Sequence, residues 1–577
     1  MALPAFTPAM AALPGRVRLQ GPATGFDYSV YLGTGSQNSV EQANAMAVDD
    51  DGNVFVTGEV SHSGFPVSDN AWSREPLGGD DIFVTKLSPE GRSIIFSTYL
   101  GGSGIDRPYA IAVDGHGAVY VTGATDSPDY PTTPGAYRRT YTADTQKTNV
   151  FVTKLSADGS NLVYSTVLAE FAGSDQGRAI RVDSSGSAYV AGTTSPFGFP
   201  TTPGALDSSI DAETKAFVTK LRPDGGALVF STMFGGTGYT YGFGLALGGD
   251  GSVYLAGSTY GNAFPTVHPI RQPVPDDQDS FVARISANGS TLLFSTPFGG
   301  TSGESALSVA LDTSGFVYVA GTTLARDFPT TPGAFQERFP DRNSYGCAYV
   351  VKLSLDEPRV VYATLLSGWT DTRLQSMVVD AQGRAWCVGV TYATDFPVTE
   401  GAADGVLDGG GTDGFVAGVS SDGGALAYGS FLGTTGSDSG LGVAADVFGG
   451  VYACGISESP DFPATGFGAR SRGSAFVVKP SMEAPEFSVA FCSPSFSYRR
   501  AKLDVTVKGS RFEAGSSVSL GDGIKVRSVT IVSSREITVS VKITGKAPYG
   551  SRDVTVTRGD GTVATGHALF EVRRKLR

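Results

Sequence analysis

Residues 83–102 read FVTKLSPEGRSIIFSTYLGG, and the phrase returns as FVTKLSADGSNLVYST from Phe151 and FVTKLRPDGGALVFSTMFGG from Phe217. Repetition of this length marks a chain built from copies of one supersecondary unit. Three landmarks measure the period. A Gly closing a short β-branched run stands at Gly58, Gly123, Gly192, Gly257, Gly321, Gly389 and Gly455, each 64 to 69 residues after the last. Runs of the type F-V-x-K centre on Phe83, Phe151, Phe217, Phe281, Tyr349, Phe415 and Phe476, and runs of the type Y-S-T-x-L-G begin at Tyr28, Phe96, Tyr164, Phe230, Phe294, Tyr362 and Tyr428.

Each unit holds four strand candidates. In the second they are Tyr109 to Asp114, Ala118 to Gly123, Asn149 to Leu155 and Asn161 to Thr166, rich in β-branched and aromatic residues. Gly115-His116-Gly117 and Ala157-Asp158-Gly159 supply the positive φ that tight hairpins need. No segment keeps a helical period, and 77 glycines in 577 residues weaken helices throughout. Four antiparallel strands repeated seven times predict an all-β chain with a seven-bladed β-propeller. The chain enters with a lone fourth strand, Asp27 to Tyr31, and its last unit stops after a third strand near Lys479. Pairing of these N- and C-terminal strands is expected to close the ring and leave no open edge.

Charge divides the chain. Residues 484–577 carry +8 and residues 1–483 carry −21. The boundary falls at Pro480-Ser481-Met482-Glu483, giving an N-terminal extension at 1–25, a propeller at 26–483 and a basic module at 484–577. An acidic propeller argues against nucleic acid as a partner. The basic module, ending Arg573-Arg574-Lys575-Leu576-Arg577, is a candidate contact for an anionic surface, for its own propeller or for self-association. No run of about 18 apolar residues exists, so no transmembrane segment is expected. The start, MALPAFTPAMAALPG, shows no evident signal peptide. Cys347, Cys387, Cys454 and Cys492 fall in different units and read as small buried apolar residues.

DFPTTPGAF (Asp327 to Phe335), DYPTTPGAY (Asp129 to Tyr137), FPTTPGA (Phe199 to Ala205) and the hairpin phrase above resemble the bacterial SBBP β-propeller repeat family over roughly residues 26–479. The resemblance implies a propeller in secreted or cell-surface bacterial proteins, with no catalytic residue assigned to the repeat. VTVKGSRF (Val505 to Phe512), VSL-G (Val518 to Gly521), VTIVSSREITVSV (Val529 to Val541) and YGSRDVTVTRGDG (Tyr549 to Gly561) resemble a single immunoglobulin-like β-sandwich of the IPT/TIG type, a spacer or adhesive module. Alternating strands with turn signals fit such a sandwich independently.

Tight turns at one end of each blade leave the long second-to-third connections and the crossovers at the other, and long loops on a rigid scaffold are where binding resides. Recurrence counts against a unique role. Trp72 shares a slot with Tyr137, Leu206 and Phe335 and reads as a loop anchor. Tyr239, Tyr241, Trp369, Arg107, Arg178 and Arg373 break the repeat's wording in the crossovers and are the candidate ligand-binding residues, aromatic rings beside guanidinium groups suiting a glycan or a protein partner.

Asp106, Asp175, Glu304, Asp371 and Asp438 form a partial acidic ring in the crossovers. Converging around a central channel they would hold a hard cation such as calcium; the competing expectation is that each accepts backbone N–H bonds within its own crossover. No other cofactor is expected. Only four histidines occur, and no G-x-S-x-G elbow, P-loop or zinc-type Cys pair is present. The leading expectation is therefore a non-catalytic extracellular or cell-surface binding and scaffold protein. Its rivals are a carbohydrate-active lyase or hydrolase using a carboxylate pair such as Asp106 or Asp371, and a structural subunit of a surface layer or filament.

Overall fold

The computed structural model describes residues 26–33, 41–142, 147–171, 173–210, 214–261, 263–272, 277–340, 345–407, 411–459, 462, 473–481, 488–510, 512–533 and 536–574. The extension at 1–25, part of the 480–483 linker and the last three residues of the basic tail lie outside them. The described residues are all-β: no helix occurs among them, and so none long and apolar enough to cross a membrane.

Nine four-stranded sheets account for the strands, and seven of these lie within residues 26–480. Six are built from four consecutive strands; the first comprises Glu41–Val48, Val54–Val60, Asp81–Leu87 and Ile94–Leu100. The seventh joins Asp438–Ala445, Val451–Ser457 and Ser474–Pro480 to the first strand of the chain, Phe26–Leu32, with Tyr31 opposite Phe476.

The turns follow from local chemistry. Asp49 accepts the backbone N–H groups of Asp51 (3.1 Å) and Asn53 (2.8 Å), while Gly52 takes φ 83°. Asp114 and Asp312 make the same turn one and four units on. The Lys of F-V-x-K belongs to this device. Lys154 reaches Asp114 at 3.2 Å and lies 4.6 Å over the Tyr120 ring, and Lys220 and Lys352 repeat the arrangement on Asp183 with Tyr189 and on Asp312 with Tyr318. Trp72 is half-buried, as a loop anchor should be, but its N–H donates to the Gly159 carbonyl (3.1 Å) in the outer hairpin of the next sheet. Tyr137 and Phe335 clasp Gly225 and Gly423 in the same way.

The second strands are buried along nearly their whole length, completely so in Val119–Thr125 and Ala188–Thr194, because neighbouring sheets cover both faces. Apolar clusters fill each gap between consecutive sheets: Phe55 and Phe96 meet Ile111 and Val121 between the first and second, and Tyr28 and Tyr452 meet Ala43 and Phe83 between the seventh and first. Each such aromatic stabilises by about 1.5–3 kcal/mol on burial. The innermost strands contact one another in succession, and Asp438–Ala445 touches Glu41–Val48. At the outer edge a register shift turns Ile95, Val163, Val229 and Leu293 outward, which interrupts an otherwise pairable edge.

The C-terminal unit pairs Ser488–Ser493, Lys502–Ser510, Glu536–Ile543 and Ile524–Ser533 in one sheet, and Phe496–Tyr498, Val563–Arg573, Gly550–Thr557 and Ser517–Ser519 in the other. Val505, Val507, Ile537, Val539, Val554 and Phe570 form their shared core. The Lys508 ammonium meets the Asp51 carboxylate of the first sheet at 2.6 Å. All four cysteines are buried and free.

Candidate functional site

Every innermost strand carries a β-bulge at the same place. The unpaired residue is Asn44, Tyr109, Arg178, Phe243, Leu307, Gln375 or Leu441 in sheets one to seven. These residues all line one central cavity of about 380 Å³ to which each of the seven inner strands contributes. A bulge re-aims one side chain and leaves the ladder otherwise intact. The recurrent Gly of the second strand makes room for it: a Cβ on Gly123 would stand 1.9 Å from the Arg107 carbonyl oxygen, and one on Gly192 1.9 Å from that of Gln176. The backbone device is thus constant, while the residue it presents differs in nearly every sheet.

Three of these residues assemble. The Arg178 guanidinium lies 4.1 Å over the Tyr109 ring and 5.9 Å from that of Phe243. Its Nη2 donates to Gln176 Oε1, and its buried Nε has no hydrogen-bond partner among the described residues. Burial lowers the Arg178 pKa below its ordinary value, the Tyr109 hydroxyl working the other way. From Phe243 an aromatic strip runs outward along Tyr239–Leu247. Phe243 and Tyr241 have centroids 6.2 Å apart at 7°, and Tyr241 and Tyr239 are 6.3 Å apart at 4°. Alternate residues share a face, so Y-T-Y-G-F-G puts its rings on one side and small residues on the other. A Cβ on Gly242 would stand 2.6 Å from the Gly192 carbonyl, and one on Gly244 2.8 Å from the Val309 nitrogen, so close packing of the flanking sheets requires that small side. Asn44 adds a polar point, its Nδ2 donating to Glu59 Oε1 (2.9 Å) and to the Pro108 carbonyl (3.0 Å).

Of the candidate ligand-binding residues, Tyr239, Tyr241 and Arg178 are therefore brought together. Arg107 shares the register position of Tyr241 two sheets away and pairs with Glu59 at 3.5 Å. Arg373 shares that position in the sixth sheet and is held by Asp371 at 2.7 Å. Trp369 stands apart, 55 % exposed on the crossover into the sixth sheet, its N–H donating to Asp395 at 2.8 Å. Tyr109 and Phe243 were not among the sequence candidates. Their signal is that the bulge position, like the position two residues before it, changes from unit to unit inside an otherwise well-matched strand.

The expected convergence of Asp106, Asp175, Glu304, Asp371 and Asp438 around the channel is corrected. Each is buried at or just before the start of an inner strand, where adjacent sheets pack together, and four of them accept hydrogen bonds within their own crossover and the loop beside it. Asp106 accepts from Gly102 N (2.7 Å) and Ser127 Oγ (2.8 Å), and Asp175 from Thr194 Oγ1 (2.7 Å) and Ser195 N (3.0 Å). Glu304 accepts from Gly300 N (3.0 Å) and Thr323 Oγ1 (2.8 Å), and Asp438 from Thr434 N (3.0 Å) and Ser459 Oγ (2.5 Å). Asp371 instead engages Arg373. Among the described residues no three His, Cys, Asp or Glu side chains converge as a metal group. Burial pushes the Asp106 carboxyl up to about 6 and those of Asp175 and Glu304 up to about 7.

No curated protein matches the chain. Among solved structures, a protein of unknown function from Dyadobacter fermentans is 10% identical and covers 79% of this chain and 99% of its own, with a TM-score of 0.36. A gluconolactonase from Xanthomonas campestris is 14% identical, covers 64% and 96%, and has a TM-score of 0.29. A PL25 ulvan lyase is 10% identical, covers 78% and 97%, and has a TM-score of 0.38. These likenesses are too loose to bear on activity. The family model that matches the C-terminal unit, over residues 494–570, is quinohemoprotein amine dehydrogenase, alpha subunit domain III, rather than an IPT/TIG model. The β-propeller repeat model SBBP matches residues 27–66 and 95–131, which supports the propeller family for the repeated part of the chain.

Proposed function

We propose that the chain is a non-catalytic extracellular or cell-surface binding and scaffold protein, its seven sheets closed as a seven-bladed propeller that presents a glycan-binding strip. The observation that carries this reading is the run Tyr239, Tyr241, Phe243 ending on Arg178 stacked over Tyr109. Flat apolar faces in series suit the C–H faces of successive sugar rings, and a guanidinium with an unpaired N–H suits a hydroxyl or carboxylate at the inner end. Asp106, offered by the lyase or hydrolase alternative, is fully buried between sheets, out of a sugar's reach. The extracellular setting rests on the SBBP resemblance. The C-terminal unit, immunoglobulin-like in its two sheets, serves as a spacer, and its positive charge offers a route to self-association.

A glycan array followed by calorimetry tests the proposal. Binding that is lost in both Tyr241→Ala and Arg178→Ala supports it. A ligand held equally by both variants, or the absence of any glycan ligand, removes it.

A further inference from the structure

Between the first and second sheets two carboxylates meet with no positive charge beside them among the described residues. Asp81, first residue of Asp81–Leu87, is 1 % exposed, and Asp106, first residue of Asp106–Val113, is 0 % exposed. Asp81 Oδ1 lies 1.9 Å and Asp106 Oδ2 2.9 Å from the one point that a Cβ on Gly101 would occupy, so the two groups are neighbours across a position only Gly can fill. Asp81 Oδ2 accepts from Leu77 N (2.7 Å) and Gly78 N (3.2 Å). Its Oδ1, aimed at this point, has no hydrogen-bond partner, and neither does Asp106 Oδ1. Unpaired carboxylate oxygens out of water are costly, and two like charges this close more so. A proton or a cation must offset them.

The arrangement recurs at equivalent register. Asp279 Oδ1 and Glu304 Oε2 lie 2.9 and 2.3 Å from the Cβ point of Gly299, and Asp413 Oδ1 and Asp438 Oδ2 lie 2.4 and 2.8 Å from that of Gly433. In the third sheet the position of Asp81, Asp279 and Asp413 is taken by Lys215, buried and 2.6 Å from Asp207, and its partner in the fourth sheet is Thr240 rather than an acid. At the junction of the third and fourth sheets the tethered Lys215 ammonium replaces one acid, and at the next junction the Arg271 guanidinium approaches Asp279 at 4.0 Å beside a retained Glu304. Positive charge thus comes to the same position by two routes, which favours a cation over a shared proton as the neutralising group.

We propose that Asp81 and Asp106 hold a divalent hard cation of the calcium class, which pins the first sheet to the second at the crossover end. Two carboxylates balance a divalent charge, and oxygen donors without His or Cys select calcium over zinc. The site lies between sheets rather than in the central cavity, and it stands whether or not the glycan reading does.

The test uses the full chain, stripped with EDTA and titrated with calcium chloride up to roughly millimolar concentration, the range of extracellular calcium modules. Bound calcium is counted by equilibrium dialysis at each calcium concentration, and the melting temperature is followed in parallel. The expected result is saturable uptake, a melting temperature raised by calcium and lowered again by EDTA, and loss of one bound ion per chain in Asp106→Asn and in Asp81→Asn. Both variants should melt no lower than the parent in EDTA, since each removes the repulsion, which separates loss of the site from loss of the fold. Asp175→Asn, at a junction where Asn149 takes the register position of Asp81, should leave the ion count unchanged. No calcium uptake by the parent chain, with a melting temperature that rises on acidification instead, would mean a shared proton and overturns the proposal. Equal uptake by the parent and both variants overturns it as well.

Discussion

The carbonyl oxygen of Arg107 stands 1.9 Å from where a Cβ on Gly123 would be, and Gly123 is one of seven glycines in the same relation to a bulged inner strand. The obstructing atom is backbone and cannot rotate away. Gly123→Ala should therefore destabilise the chain by about 2 kcal/mol, as overpacking does, read as a lowered urea midpoint. Gly115→Ala, in a turn with nothing within 4 Å of the added methyl, should leave the midpoint unchanged.

On a glycan ligand found by array, Tyr241→Ala and Arg178→Ala should each weaken binding by roughly tenfold, about the worth of one aromatic or cation–π contact. Trp369→Ala should leave affinity unaltered, because Trp369 lies on the crossover into the sixth sheet, away from the strip. Calorimetry on the three variants separates them.

Burial pushes the Asp175 carboxyl up to about 7, against hydrogen bonds from Thr194, Ser195 and Gly173. A carboxyl whose folded pKa is raised binds its proton more tightly folded than unfolded, so its contribution is full below the unfolded value, near 4, and is lost as pH rises through about 7. Asp175→Asn should flatten the fall in melting temperature between these pH values and raise it at pH above 7. Thermal melts of both chains across this range check the sign.

Asp114 runs the other way. Burial raises its pKa, but N–H bonds from Ala118 and His116 and the Lys154 ammonium outweigh burial and hold the carboxyl below its ordinary value. That stabilisation is present above the unfolded value and disappears as pH falls through the folded one. Lys154→Met should cost about 1.5–3 kcal/mol near neutral pH, the worth of one hydrogen bond between charged groups lost from a carboxylate that keeps its other donors, and less near pH 3. Urea titrations at the two pH values give the comparison.

Much of this was legible in the chain. The period, the four strands per unit and the Asp and Gly of the first hairpin rest on contacts within one sheet, and local chemistry that returns every 64 to 69 residues declares itself. Tyr239, Tyr241 and Arg178 stood out because they broke that wording. Tyr109 and Phe243 did not, since both sit inside strands whose alternation looked regular. The bulge that turns them to the cavity is a shift of register, and the letters of one strand do not record how it pairs with the next. For the acidic ring the sequence offers two readings, convergence on the channel or bonding within each crossover, and recurrence on the crossovers points to the second, which the bonds of Asp106, Asp175, Glu304 and Asp438 follow.

Sequence alone therefore determined the elements of this protein, because turn chemistry and strand patterning act over a few residues. Only the tertiary structure decided what those elements bring together: Arg178 onto Tyr109 from adjacent sheets, and Asp106 against Asp81 rather than toward the channel. The physical reason is that both contacts arise from one sheet packing on another, where the height of a residue and the face it takes depend on bulges and on the absence of a single Cβ.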